Sequence, residues 1–156
     1  MVQEYLFLAP EWVHEVTKVV QAARSTDENF GKLARGFSLT LVYVVTELPP
    51  SLCRLHNGPQ LVALVQLDQG TVRRLWLGSE VPSEKYDFMI SSRYPVAKRI
   101  WIGETNPATA FIDRQFKVEP LRRVYQRPKF TAKAIVTGNA LLKIARRVPT
   151  TYPQED

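Results

Sequence analysis

Cysteine occurs once in this chain, at Cys53, and histidine twice, at His14 and His56. A single thiol excludes an internal disulfide and any multi-cysteine zinc site. The histidines have no ligand spacing around them, and both read as surface or packing residues. No serine stands in a G-x-S-x-G turn, and no glycine run cradles a phosphate. Gly103-Glu104-Thr105-Asn106 is a turn without the lysine and second glycine that such a loop needs. Among the acids, Asp87, Glu104 and Asp113 are the ones a fold could gather, but Glu104 and Asp113 occupy cap or surface positions. Cys53 has only His56 near it and reads as an incidental thiol. Hydrophobic runs are short, none approaching the ~18 apolar residues of a membrane span. The opening MVQEYLFLAPEW lacks the basic start and apolar length of a signal sequence. The expectation is a cytoplasmic, non-enzymatic protein with no metal and no cofactor.

What is present is an ordinary globular composition with a basic bias. A hydrophobic fraction of 45% over 156 residues predicts one domain, 1–156, with no linker or internal repeat. Lysine and arginine outnumber the acids 21 to 15, giving a net charge of +6. That favours contact with something anionic. The excess is concentrated late, where Arg122, Arg123, Arg127, Lys129, Lys133, Lys143, Arg146 and Arg147 face the single acid Glu119. Such a run is a solvated helical face or a patch for an anionic membrane. The sequence argues against nucleic acid as a partner, because aromatics interleave thinly (Tyr125, Phe130) and no base-reading motif appears.

Pattern gives the order of elements. Pro10 opens a helix whose stripe is Trp12, Val13, Val16, Val19, Val20 and Ala23, ended by Ser25–Asn29; Gly31 and Gly36 frame a loop. Phe37 to Val45 is a strand with apolar residues on both faces, so it is central or covered twice. The connection from Pro49 to Pro59 is irregular, with one turn of helix at Leu52. Gln60–Leu67 and Thr71–Leu77 form a hairpin whose Gly70 takes the left-handed conformation. Arg73-Arg74 marks an edge strand. Lys85 to Ile90 is read as the last strand of an antiparallel meander. Pro95 opens a short helix closed by Gly103, and Asn106-Pro107 starts another. Phe116–Val118 is a brief strand. Helical segments follow, broken near Pro128 and Gly138, the last running from Asn139 to Arg147. The class is α+β.

This order resembles the sterol carrier protein-2 family of small lipid-binding domains. Four features carry the likeness: Ala9-Pro10-Glu11-Trp12 leading a helix; the strands Leu39–Val45, Leu61–Leu67 and Val72–Leu77; Tyr86–Ile90 followed by a helix to Ile102-Gly103 and then Asn106–Phe111; and Phe116–Val118 with a helical tail to Val148-Pro149-Thr150. It departs where members carry glycine around the short strand, since Arg114-Gln115 and Pro120 stand there. The resemblance implies a mixed, mostly antiparallel five-stranded sheet with helices packed on one face and an apolar tunnel between the layers. It also implies a lipid, fatty acid, acyl-CoA or sterol-like ligand and transfer between membranes.

The lining expected from the strand face and helix stripes is Leu39, Leu41, Tyr43, Val65, Phe88, Ile100, Phe111, Leu141 and Ile144. Arg122, Arg123, Arg127 and Lys129 are the expected contacts with ligand phosphate or an anionic membrane. The alternatives are a homodimeric accessory module, with a filled core and an apolar second sheet face (Val42, Val44, Val62, Trp76), and a nucleic-acid-binding protein using the basic tail.

Overall fold

Two prolines and a left-handed glycine decide much of the topology of the computed structural model, which describes residues 2–153. Elements run β1 (Tyr5–Leu6), α1 (Pro10–Thr26), α2 (Glu28–Ala34), β2 (Leu39–Thr46), α3 (Pro50–His56), β3 (Leu61–Asp68), β4 (Thr71–Gly78) and β5 (Phe88–Arg93). They continue α4 (Tyr94–Ile102), α5 (Pro107–Ile112), β6 (Lys117–Glu119), α6 (Leu121–Gln126), α7 (Pro128–Ala145) and β7 (Thr150–Thr151). Pro49-Pro50 ends β2 and starts α3 at its first position, so the connection carries a full short helix rather than one turn. Gly70 sits at φ 84° after Gln69 at φ 51°, the two-residue turn that joins β3 to β4. A Cβ there would lie 2.5 Å from the Ala34 carbonyl oxygen, so glycine serves both conformation and space.

The main sheet has the order β4-β3-β2-β5-β6. β2 pairs antiparallel with β3 and parallel with β5, with Leu41 opposite Val65 on one side and Phe88 on the other. The fourth strand is therefore not part of a meander, and it lies at Phe88–Arg93 rather than Lys85–Ile90. The chain crosses from edge strand β4 past β3 and β2 before it pairs again. Asp87 fixes that landing, its N–H donating to the Thr40 carbonyl at 2.8 Å and its carboxylate accepting from the Thr40 N–H at 2.8 Å.

Helices α1, α2, α6 and α7 gather on one face. The run Ser25–Asn29 ends α1 and also starts α2, which replaces the expected loop. Asp27 accepts from the Phe30 N–H at 3.1 Å and from Arg147 at 2.9 Å, and these bonds hold its carboxyl below the usual carboxylate range. Gly138 does not break the tail, and α7 runs unbroken through it. One interior glycine costs about 1 kcal/mol against alanine. The alanine-, leucine- and isoleucine-rich flanks outweigh that. Gly103 closes α4 at φ 86°, while the Arg146 guanidinium donates to the carbonyls of Trp101 and Ile100 at the same helix end.

The core under the helices is anchored by aromatic rings. Phe7 meets Trp12 at 5.1 Å, Trp101 at 5.6 Å and Tyr152 at 5.3 Å between centroids. The parallel pair β1–β7 ties the two ends of the described chain over this cluster. No helix among the described residues is long and apolar enough to cross a membrane.

Candidate functional site

Alternation along β2 sends Leu39, Leu41, Tyr43 and Val45 toward the helices, and Val42 and Val44 to the opposite face. A helix layer ought to seal the first set and leave the second open. The structure does the reverse at the centre. Val42 and Val62, on the face without helices, are 0% exposed and Leu64 is 1% exposed. On the helix side the ends of the strands are buried, at Leu39, Leu61, Leu67, Val72 and Phe88. Between them Leu41, Tyr43, Val65, Leu75 and Ile90 remain only half-buried, although β2 is the middle strand of five. A water-sized sphere thus reaches apolar side chains at the heart of the sheet.

On the opposite face the crossing segment 79–87 contributes Tyr86, which joins Met89 of β5. Tyr86 and Met89 pack on Val42, Val44, Val62 and Leu64, and Glu84 pins the segment to Arg74 at 2.8 Å. The free dimer face expected at Val42, Val44 and Val62 is therefore absent from the described residues; only Trp76, at 39%, stays exposed.

Above the half-open centre stands α7. It packs on α1, α2, α5 and α6, and its apolar side chains share one cluster with those of the strands. Its inward stripe is Phe130, Ala134, Thr137, Leu141 and Ile144, at helical spacing. Phe130 packs near Phe37 (5.5 Å) and Phe88 (5.9 Å), closing one end. Val124 of α6 joins the same cluster. Thr137 is fully buried, and its hydroxyl has no hydrogen-bond partner among the described residues. An unpaired buried hydroxyl costs about 1–3 kcal/mol. The other polar group here is Tyr43, whose phenol lies 2.8 Å from the Ser92 hydroxyl and whose ionisation is pushed up by burial.

Of the expected lining, Leu39, Leu41, Tyr43, Phe88, Leu141 and Ile144 share one apolar cluster, and Val65 adjoins it opposite Leu41. Ile100 lies apart, in a smaller cluster of Val96, Ala110, Phe116 and Leu142. Phe111 belongs beside that cluster, its ring 6.1 Å from Phe116. The sequence reading missed Phe130, Ala134 and Thr137, because breaking the helix at Gly138 hid the stripe they form with Leu141. Among the cations, Arg123 is committed inward, donating to the carbonyls of Tyr86 and Asp87. Arg122, Arg127 and Lys129 stay exposed. Two open surface hollows, of about 580 and 450 Å³, lie elsewhere and include none of the expected lining. His56 accepts a structural role against the Leu8 carbonyl at 2.9 Å, and His14 is exposed.

No family model and no curated protein sequence matches the chain. Solved structures do. A conserved hypothetical protein of Thermus thermophilus, described as a candidate sterol carrier protein, superposes with a TM-score of 0.68, over 100% of this chain and 97% of its own, at 16% identity. A crystal structure of sterol carrier protein 2 gives 0.65 over 88% of this chain and 95% of its own, at 15% identity. The apo form of sterol carrier protein 2 from Yarrowia lipolytica gives 0.51 over 87% and 88%, at 14% identity. At such identities the likeness is one of fold, and the chain has the mixed five-stranded, helix-backed fold of sterol carrier protein 2.

Proposed function

We propose that this protein is a non-enzymatic lipid carrier that holds a fatty acyl or sterol-like ligand between the sheet and α7. The observation that carries the reading is the inverted burial of β2, sealed on its bare face and half-open beneath the helices. Apolar side chains at the centre of a sheet are left within reach of solvent at a cost, and an apolar guest removes it. Burying an acyl chain contributes about 0.8 kcal/mol per CH₂, so affinity needs few polar contacts. Leu41, Tyr43, Val65 and Leu141 form the floor and roof of the site, with the Tyr43 phenol as its polar group. The names of the structural neighbours support the same reading. The partners are a fatty acid, an acyl-CoA or a sterol-like molecule, and an anionic membrane from which it is drawn.

Native mass spectrometry and uptake of a fluorescent fatty acid test this. Bound lipid mass or saturable uptake is expected, and Leu141→Trp, which thrusts a larger ring into the space, lowers uptake by about tenfold while the far-ultraviolet circular dichroism is retained. A bare mass together with no uptake refutes the carrier.

A further inference from the structure

We propose that α6 is a membrane-docking element, with Leu121 and Tyr125 as the side chains that enter an anionic bilayer surface. The inference rests on the carrier reading only for its purpose; the surface itself is argued independently.

Helix α6 carries its two large apolar residues on the wrong side for a folded core. Leu121 is 51% exposed and Tyr125 is 70% exposed, four residues apart and so on one face of the helix. Between them, Val124 points into the core and Arg123 is held by the backbone of the 79–87 segment. These inward ties fix the helix and hold the other pair outward. Tyrosine is a side chain suited to a headgroup boundary, with an apolar ring and a hydroxyl that stays wet.

Charge decides what covers this pair. From residue 120 to 149 the sequence has no aspartate or glutamate. Arg146 and Arg147 are committed, to the end of α4 and to Asp27. Arg122, Arg127, Lys129, Lys133 and Lys143 have no acidic partner among the described residues, while Arg127 lies 4.2 Å over the Phe130 ring and keeps its charge. Lys129, Lys143 and the half-exposed Val136 lie on the outer side of α7, opposite its inward stripe. The exposed cations Arg122, Arg127 and Lys129 flank the apolar pair in sequence on α6 and at the start of α7, and such a pairing of apolar and cationic side chains complements acyl chains beneath anionic headgroups. Each basic side chain near such a surface raises binding about fivefold. A second copy of this chain would bring the same positive charge to the contact and be repelled.

Position gives the docking its use. α6 packs on α7, and α7 roofs the half-open sheet. Docking through α6 sets the roof of the site against the bilayer, so a lipid passes without crossing water.

Co-sedimentation of the full chain with phosphatidylcholine vesicles, with and without phosphatidylserine, tests the proposal. Binding is expected to require phosphatidylserine and to fall with salt, because the Debye length shrinks to about 10 Å at 0.1 M. The double variant Leu121→Glu/Tyr125→Glu should lose about tenfold or more in vesicle affinity and keep its uptake of fluorescent fatty acid from solution. Equal binding to both vesicle types, or a double variant that binds as well as the parent, overturns the docking. So does a dimer that the double variant dissociates, since the patch would then be a self-contact. Loss of uptake alone, with vesicle binding intact, strikes at the carrier reading and leaves this surface standing.

Discussion

Tyr43 stands on the middle strand with its ring over the half-open centre and its hydroxyl 2.8 Å from Ser92. Burial raises its ionisation above the ordinary tyrosine value, and the Ser92 bond only partly opposes that. The folded state therefore favours the protonated phenol. Its contribution is fully present below about pH 10, the unfolded value, and is lost as pH rises through the higher folded value. In an alkaline ultraviolet titration of the six tyrosines, Tyr43 should ionise late together with Tyr152, whose ionisation burial also raises, and Tyr43→Phe should remove its share of that late component. The same change should cost about 1 kcal/mol, because Ser92 loses its partner. A titration in which Tyr43→Phe removes an early component would show that water reaches the phenol freely. Strict alternation made Leu41, Tyr43 and Val65 legible as one sheet face before any coordinates. Thr137 was not legible, because its role depends on which turn of α7 faces the strands, and that depends on the helix being continuous.

Continuity of α7 is a question of element, and Gly138 is where the sequence misleads. Glycine in a helix is a weak break, about 1 kcal/mol, and the tail supplies strong helix formers on both sides. The site of the glycine has no heavy atom within 4 Å of an added Cβ, so no packing reason holds it there. Gly138→Ala should therefore stabilise the fold by about 0.5–1 kcal/mol, read as a higher midpoint in urea with an unchanged slope. A destabilised variant would mean that α7 bends at this point in solution. The other elements divide by the same logic. The Pro10, Pro95 and Asn106-Pro107 starts and the Gly70 and Gly103 stops were legible because each is a local backbone signal. The placement of β5 was not. Tyr86 and Phe88 alternate as well as Phe88 and Ile90 do, and only the Thr40–Asp87 pairing sets where the strand begins.

At the scale of the whole molecule the sequence announced an α+β chain and its family likeness supplied the five-stranded plan, but neither could say which face of the sheet is full. Both faces of β2 carry apolar residues in sequence, Leu39, Leu41, Tyr43 and Val45 on one and Val42 and Val44 between two threonines on the other. The difference appears only in burial, with Tyr86 and Met89 packed on one face and Leu41, Tyr43 and Val65 left half-buried on the other. A pair of substitutions on β3 separates them. Val62 and Val65 lie three residues apart on β3 and so face opposite ways, one sealed at 0% exposure and one half-buried on the helix side. Enlarging Val62 to phenylalanine forces the added atoms against Tyr86, Met89 and Val42 in a close-packed layer, and overpacking of this kind costs about 1–3 kcal/mol. Enlarging Val65 to phenylalanine adds the same atoms to a side chain that is only half-buried, and on the carrier reading they enter the space kept for the guest, so stability should stay within about 1 kcal/mol of the parent or rise. Uptake of fatty acid should show the opposite order, preserved in Val62→Phe and depressed in Val65→Phe. Urea unfolding of the two variants, paired with uptake, reads both quantities from the same preparations. If Val65→Phe is as destabilising as Val62→Phe, the helix side is as solid as the bare side, and the sheet has no room for a guest.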